Sequence, residues 1–272
     1  MVASIGSSGS PSYLRALDSA DKAKEKSLNK LSSGKKNPLD DPAAAAIVAE
    51  LEADVATLDQ AARNISDASS LMAIGESALA NVSDTVTRIT ELSVQAANGT
   101  YSQEQRQAMQ NEVDSLSAEI NRTIQSAEFN GQKIFDSASN PKLDVQVGNS
   151  SDQNSRISFD FGDLSTQAES LLSIDLMSPE GRTSALSTLN SFQTQVNSTR
   201  GQMGAFESRL AAANETARTS SITAEAAASR IRDIDYAEET ANLTRNNILA
   251  QGSVAMAAQA NVTANTVLSL LR

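Results

Sequence analysis

Large apolar residues recur at every seventh position along most of this chain. In residues 43–97 the series Leu51, Leu58, Ile65, Met72, Leu79 and Val86 is spaced by seven without a miss. Val48, Val55 and Ala62 flank it on one side early on, and Gly75, Val82 and Ile89 on the other side later. On a helix of about 3.6 residues per turn such a stripe drifts slowly around the axis, so the pattern predicts a long helix coiling gently against partners. "NGT" at 98–100 stops it. A second helix over 103–128 carries Met109, Val113, Leu116, Ile120 and Ala127, and "FNGQK" at 129–133 ends that one. After Pro179 and Gly181 the heptads return. Phe192, Thr199, Phe206, Ala213, Ser220, Ala227, Ile234, Ala241, Ile248, Ala255 and Val262 stay in one register. A companion column, Leu189, Val196, Met203, Leu210, Ala217, Ala224 and Ile231, follows the first two-thirds. No proline interrupts residues 182–272, and "SRIRDIDY" is the natural place for a bend.

The remaining stretches are short. Residues 1–12 are polar, with Gly and Pro. From Tyr13 to Leu31 a weakly amphipathic helix offers Leu14, Leu17, Leu28 and Leu31 around a charged middle, "DKAKEK". "SSGKKNPLDDPAA" breaks it with Gly34, Pro38 and Pro42; Asp40 or Asp41 is placed to cap the next helix, and Pro42 suits its first turn. Between the helical halves the period changes to two: "KLDVQV" (142–147) and "RISFDF" (156–161) alternate apolar and polar residues and predict a β-hairpin. The expected fold is therefore mainly α, an elongated antiparallel helical bundle or coiled coil with one small β-hairpin region near 142–161.

Composition narrows the function. Aromatic residues make up 3% and Trp, Cys and His are absent, so thiol chemistry, disulfides and the commonest general base and metal ligand are missing. No catalytic, cofactor or metal-binding residues are predicted. A formal net charge of −11 repels a phosphate backbone, so nucleic acid is not an expected partner. No apolar run reaches membrane-spanning length. The opening "MVASIGSSGSPSY" has neither a charged n-region nor an apolar h-region, so a cleaved signal peptide is not expected. "LSSGKK" lacks the first Gly and the following Ser/Thr of a phosphate loop. "SLNK" stands without the other strings of a Ser-x-x-Lys acyl enzyme. "SSDQNS" lacks calcium-loop spacing.

The last segment is the odd one. Residues 237–271 hold nine large aliphatic residues: Leu243, Ile248, Leu249, Val254, Val262, Val267, Leu268, Leu270 and Leu271. Their burial is too little to order some 35 residues of backbone alone. The helix at 13–31 adds only four leucines. Both ends are thus expected to order when other copies supply the missing surface, as in a polymer-forming subunit.

The blocks "LSSGKK" with "DDPAAAAI", "QAARNISDASSLMAIGESAL", "RITELSVQAANGT" and "NEVDSLSAEINRTIQSAEFNGQKIF" resemble bacterial flagellin, the subunit of the flagellar filament. "SRIRDIDYAEETANLTRNNILAQ" and "AQANVTANTVLSLLR" continue the likeness at the other end. The resemblance implies an inner coiled-coil domain made of residues 1–42 and 235–272, and a helical domain with the hairpin over 43–234. Only about 20 residues stand where larger members insert outer domains, so a short form is implied. It further implies self-assembly into a helical homopolymer through the terminal helices, with Leu14, Leu17, Leu28, Leu31, Ile248, Leu249, Val262, Val267, Leu268, Leu270 and Leu271 as contact residues. Implied partners are the filament cap, hook-junction proteins, an export chaperone and the flagellar export apparatus, which takes unfolded chains to the extracellular filament. Arg88, Leu92 and Glu112 match the surface read by the flagellin-sensing Toll-like receptor, with Thr90 where many recognised members carry a second Arg. Two alternatives stay open: the hook–filament junction protein of the same family, and the cytoplasmic helical hairpin of a chemoreceptor, which lacks a β segment in the middle.

Overall fold

The computed structural model describes residues 10–135, 142–150 and 152–270, except for the side chains of residues 10–14, 260, 261, 264, 265 and 267–270. The chain divides into two compact units, Asp54–Thr223 and Met1–Ala53 with Ala224–Arg272.

The unit Asp54–Thr223 is built on three helices: α2 (Pro42–Ala97, from Asp54 onward), α3 (Gln103–Ser126) and α5 (Pro179–Arg232, up to Thr223). The heptad columns become its core. Ile65, Met72, Leu79, Val86 and Ile89 of α2 meet Leu189, Phe192, Val196, Met203, Phe206 and Leu210 of α5, all buried. α3 adds Met109, Val113, Ile120 and Ile124. The polar ties show that neighbouring helices run antiparallel. Ser221 Oγ donates to Asp59 at 3.0 Å, Arg200 Nη2 to Glu76 at 2.8 Å and Gln193 Nε2 to Ser83 at 2.8 Å, so positions rise on α2 as they fall on α5. α3 starts on a reciprocal cap: Ser102 Oγ accepts from the Gln105 N–H at 3.2 Å, and Gln105 Oε1 accepts from the Ser102 N–H at 2.8 Å.

Two hairpins lie against these helices rather than one. The predicted hairpin is present as β3 (Leu143–Gln146) paired antiparallel with β4 (Arg156–Phe159). Its inward Val145, Ile157 and Phe159 are buried, and Phe159 leads into a ring cluster with Phe161 (4.7 Å) and Phe206 (5.0 Å). "FNGQK" is more than a helix stop. It folds as a two-residue turn between β1 (Glu128–Phe129) and β2 (Gln132–Lys133), with φ of 50° at Asn130 and 76° at Gly131. Both central residues are left-handed there, the requirement that makes Asn-Gly the common sequence for such turns. A short α4 (Leu164–Glu169) and a 3₁₀ turn (Ser170–Ser173), which the heptad pattern did not announce, bury Leu164, Ala168 and Leu171. Gln110 of α3 holds the chain beyond them, donating to the Ile174 carbonyl and accepting from the Leu176 N–H, each at 2.7 Å.

The other unit pairs α1 (Ser10–Ser33) with α6 (Tyr236–Leu270), beside the beginning of α2 and the end of α5. α5 stops at Arg232 and α6 starts at Tyr236, so the heptad register after residue 182 is carried by two helices, broken within "SRIRDIDY". The end of α1 adjoins the start of α6, and the two helices pack side by side along their lengths, so they run antiparallel. Their interface is thin. Among the described residues of this unit only Ala20, Ser27, Val48 and Ala228 are buried.

Candidate assembly surfaces

The joint between α1 and α6 is fixed by main chain. Gly34 (φ 69°) turns the chain out of α1, and a β-bridge pairs Lys35 with Asp233. The Lys36 N–H donates to the Arg232 carbonyl at 2.7 Å, and the Ile234 N–H donates to the Gly34 carbonyl at 3.1 Å. A Cβ at Gly34 would stand 3.0 Å from the Tyr236 hydroxyl, so both the left-handed φ and the close approach call for glycine.

Ion pairs flank this joint on both sides. Asp40 is gripped by Lys30 at 2.9 Å and Lys26 at 3.2 Å, and these bonds, Lys30 first, hold its carboxyl below the usual aspartate range. Asp233 is lowered likewise, by the Ser229 hydroxyl first and then by Arg232 at 3.0 Å. Arg232 also reaches Glu52, and its two acidic partners, Asp233 ahead of Glu52, raise it.

Beyond the joint, α6 shows aliphatic side chains to solvent. Ile248 is 64% exposed, and Leu249 and Val262 are more than half exposed. On α1, Leu17 and Leu31 are half-buried and Leu28 is exposed. The side chains of Leu14, Val267, Leu268 and Leu270, and the whole of Leu271, lie outside the described residues. Val254 and Met256 join the exposed set on α6. Val254 was one of the aliphatics counted in the sequence, whereas Met256 lies off the heptad column.

The second predicted surface is brought together only in part. Arg88 Nη2 pairs with Glu112 Oε1 at 2.9 Å across α2 and α3, and Nη1 reaches Glu91 at 3.3 Å. These carboxylates, Glu112 ahead of Glu91, raise the Arg88 guanidinium. Leu92 departs from the expectation. It is 3% exposed, because its position on α2 points into the core with Ile89 and Ala96, so it is not a surface residue in this chain. The Thr90 hydroxyl is turned back to the Val86 carbonyl at 2.8 Å.

In the sequence Leu39 is part of the break between two helices. It lies in the turn between α1 and α2 and is the most exposed large hydrophobic residue among those described. A lone leucine in a Pro-Leu-Asp-Asp turn carries no periodicity, so pattern alone could not single it out.

Residues 10–140 match the family described as the bacterial flagellin N-terminal helical region, and residues 186–271 match the bacterial flagellin C-terminal helical region. The flagellar filament 30.7 kDa core protein of Treponema maltophilum is 36% identical over 258 residues, covering 90% of each chain. A flagellin of Halalkalibacterium halodurans is 36% identical over 250 residues, covering 91% of this chain and 92% of its own. Among solved structures, a putative flagellar hook-associated protein from Vibrio parahaemolyticus superposes with a TM-score of 0.60, covering 71% of this chain and all of that one. Its 14% identity makes that likeness one of fold.

Proposed function

The chain belongs to the bacterial flagellin family and is a structural subunit of the flagellar filament; from that premise we propose that α1 and α6 are its polymerising elements. The observation that carries this reading is the aliphatic face of α6. Ile248, Leu249 and Val262 stand in solvent in a unit that buries almost no large side chain among its described residues. Solvent-facing aliphatic residues set along one helix are an interface awaiting its partner. In a homopolymer that partner is another copy. The residues assigned to it are Leu17, Leu28, Leu31, Ile248, Leu249 and Val262, with Leu14, Val267, Leu268, Leu270 and Leu271 continuing the same segments.

Residues 1–42 with 235–272 form the inner domain in this reading, and 43–234 the outer helical one. In this reading the chain passes unfolded through the export apparatus with a chaperone on its α6 segment, and its ends order among copies. The filament cap and the hook-junction proteins are its remaining partners. The identity to filament proteins over nine-tenths of both chains favours the filament over the junction, and the β3–β4 hairpin is a feature that a chemoreceptor hairpin lacks.

Seeded growth tests the proposal. Purified subunit added to sheared filament should elongate it, and Ile248→Asp should abolish elongation while leaving the monomer's thermal unfolding unchanged. An Ile248→Asp variant that polymerises normally overturns the assignment. In this reading receptor recognition rests on the Arg88–Glu112 pair rather than on Leu92; Arg88→Ala should lower a receptor-reporter response to monomer without altering its fold.

A further inference from the structure

Resting on the filament-subunit reading, we propose that the turn bearing Leu39 is a docking knob that enters a groove beside the β3–β4 hairpin of a second copy of this chain. The knob is pinned. Leu39 is 86% exposed, yet its N–H donates to Asn37 Oδ1 at 3.0 Å and the Asp40 N–H donates to the Asn37 carbonyl at 3.0 Å. Asp40 is tied to Lys26 and Lys30, and Asp41 Oδ1 accepts from the Ala44 N–H at 3.0 Å. A leucine held in this way loses little conformational freedom when it docks.

The groove, about 560 Å³, lies between the hairpin and the helices of the unit 54–223. Leu58, Val147, Ile157 and Ala217 give it an apolar surface, and Arg156 and Arg209 line it as well. No carboxylate lines it, which is unusual on a chain of net charge −11. Arg209 has no ion-pair partner among the described residues. The groove therefore suits an aliphatic side chain accompanied by negative charge. Among the exposed aliphatic residues described, Leu39 alone is immediately followed by a carboxylate, and by two in a row. Both oxygens of Asp40 are held by lysines, whereas Asp41 uses Oδ1 on the Ala44 N–H, so the oxygen offered to Arg209 is Asp41 Oδ2.

At 86% exposure Leu39 has nearly all of its side-chain surface left to bury, and a second copy of the chain supplies the groove in this proposal. A knob on one patch and a groove on another form a heterologous contact. Repeated without ring closure, it generates a helical array.

The chain has no Cys, so introduced thiols are the only ones present. Leu39→Cys copies and Thr216→Cys copies, mixed and grown on wild-type seeds, should give disulfide-linked dimers on mild oxidation; neither variant alone should, and unpolymerised mixtures should not. In parallel, Leu39→Ala should raise the critical concentration for elongation about tenfold with the monomer's melting unchanged, and Arg209→Glu should raise it while Arg209→Lys does not. Filaments that form without cross-links, or a Leu39→Cys/Thr216→Cys double variant that cross-links within the dilute monomer, overturn the docking. Leu39→Ala at the wild-type critical concentration does the same. Failure of the wild-type subunit itself to elongate seeds would instead remove the filament reading on which the proposal rests.

Discussion

The heptad column that opens at Phe192 is buried through Phe206 and exposed from Ala241 onward, although the spacing never changes. In the unit 54–223 it meets α2 in an antiparallel pairing, and α3 and both hairpins close over the remaining apolar sides. Past the joint, among the described residues, the same register meets only α1, a helix with a charged middle and four leucines. Periodicity tells which residues share a face; what covers that face depends on how many neighbours the chain itself can bring. One unit buries its stripe within the chain. The other leaves its described aliphatic residues largely in solvent.

The sharpest way to separate the two is to empty the core. Leu79→Ala should destabilise the unit 54–223 by about 2–5 kcal/mol, read as a lower denaturation midpoint, because Leu79 is fully buried. The equivalent truncation at Ile248 should leave the monomer's midpoint in place. A Leu79→Ala monomer that melts like wild type would erase the contrast. Next in size is Gly34→Ala, expected to cost the α1–α6 joint about 1–2 kcal/mol from the left-handed φ alone. Its amides should lose exchange protection while those around Leu79 keep theirs.

Acid should act on the joint more gently. Asp40 and Asp233 titrate lower when folded than when free. Their contribution is therefore whole above an ordinary aspartate value of about 4 and is lost as pH falls through the lowered folded values. Protection at Lys36 and Ile234 should fall as pH drops below about 4, before that of the helical core does, and uniform loss across both units would count against the distinction. The smallest effect belongs to the partly exposed Arg200–Glu76 pair, where Arg200→Met should change stability by no more than about 1 kcal/mol.

The parts of this fold visible in sequence are those that repeat. Six heptad positions marked α2, and four of them, Ile65, Met72, Leu79 and Val86, are fully buried. Alternation marked β3 and β4. What escaped is what rests on single residues. The β1–β2 turn depends on two left-handed residues, Asn130 and Gly131, and in the sequence their Asn-Gly signal marks a helix stop as readily as a hairpin. α4 is a turn and a half long, too short for a period to register. Leu92 was misplaced for a related reason: a motif fixes identity and spacing, whereas the face a residue occupies follows from helix phase, and at that point α2 aims Leu92 inward. The candidate assembly residues were legible because aliphatics without a visible partner stand out, and Leu39 was not because its turn is read locally, by Asn37 and two lysines far apart in sequence from any stripe.

The bridge between Lys35 and Asp233 has a consequence for how the chain ends come to order. It joins positions nearly two hundred residues apart, so the entropy of closing that large loop is already met before α1 and α6 touch along their lengths. Pairing can then spread outward from a closed end, as a zip runs from its slider. Shortening either free end should trim the zipped length without shifting which residue faces which.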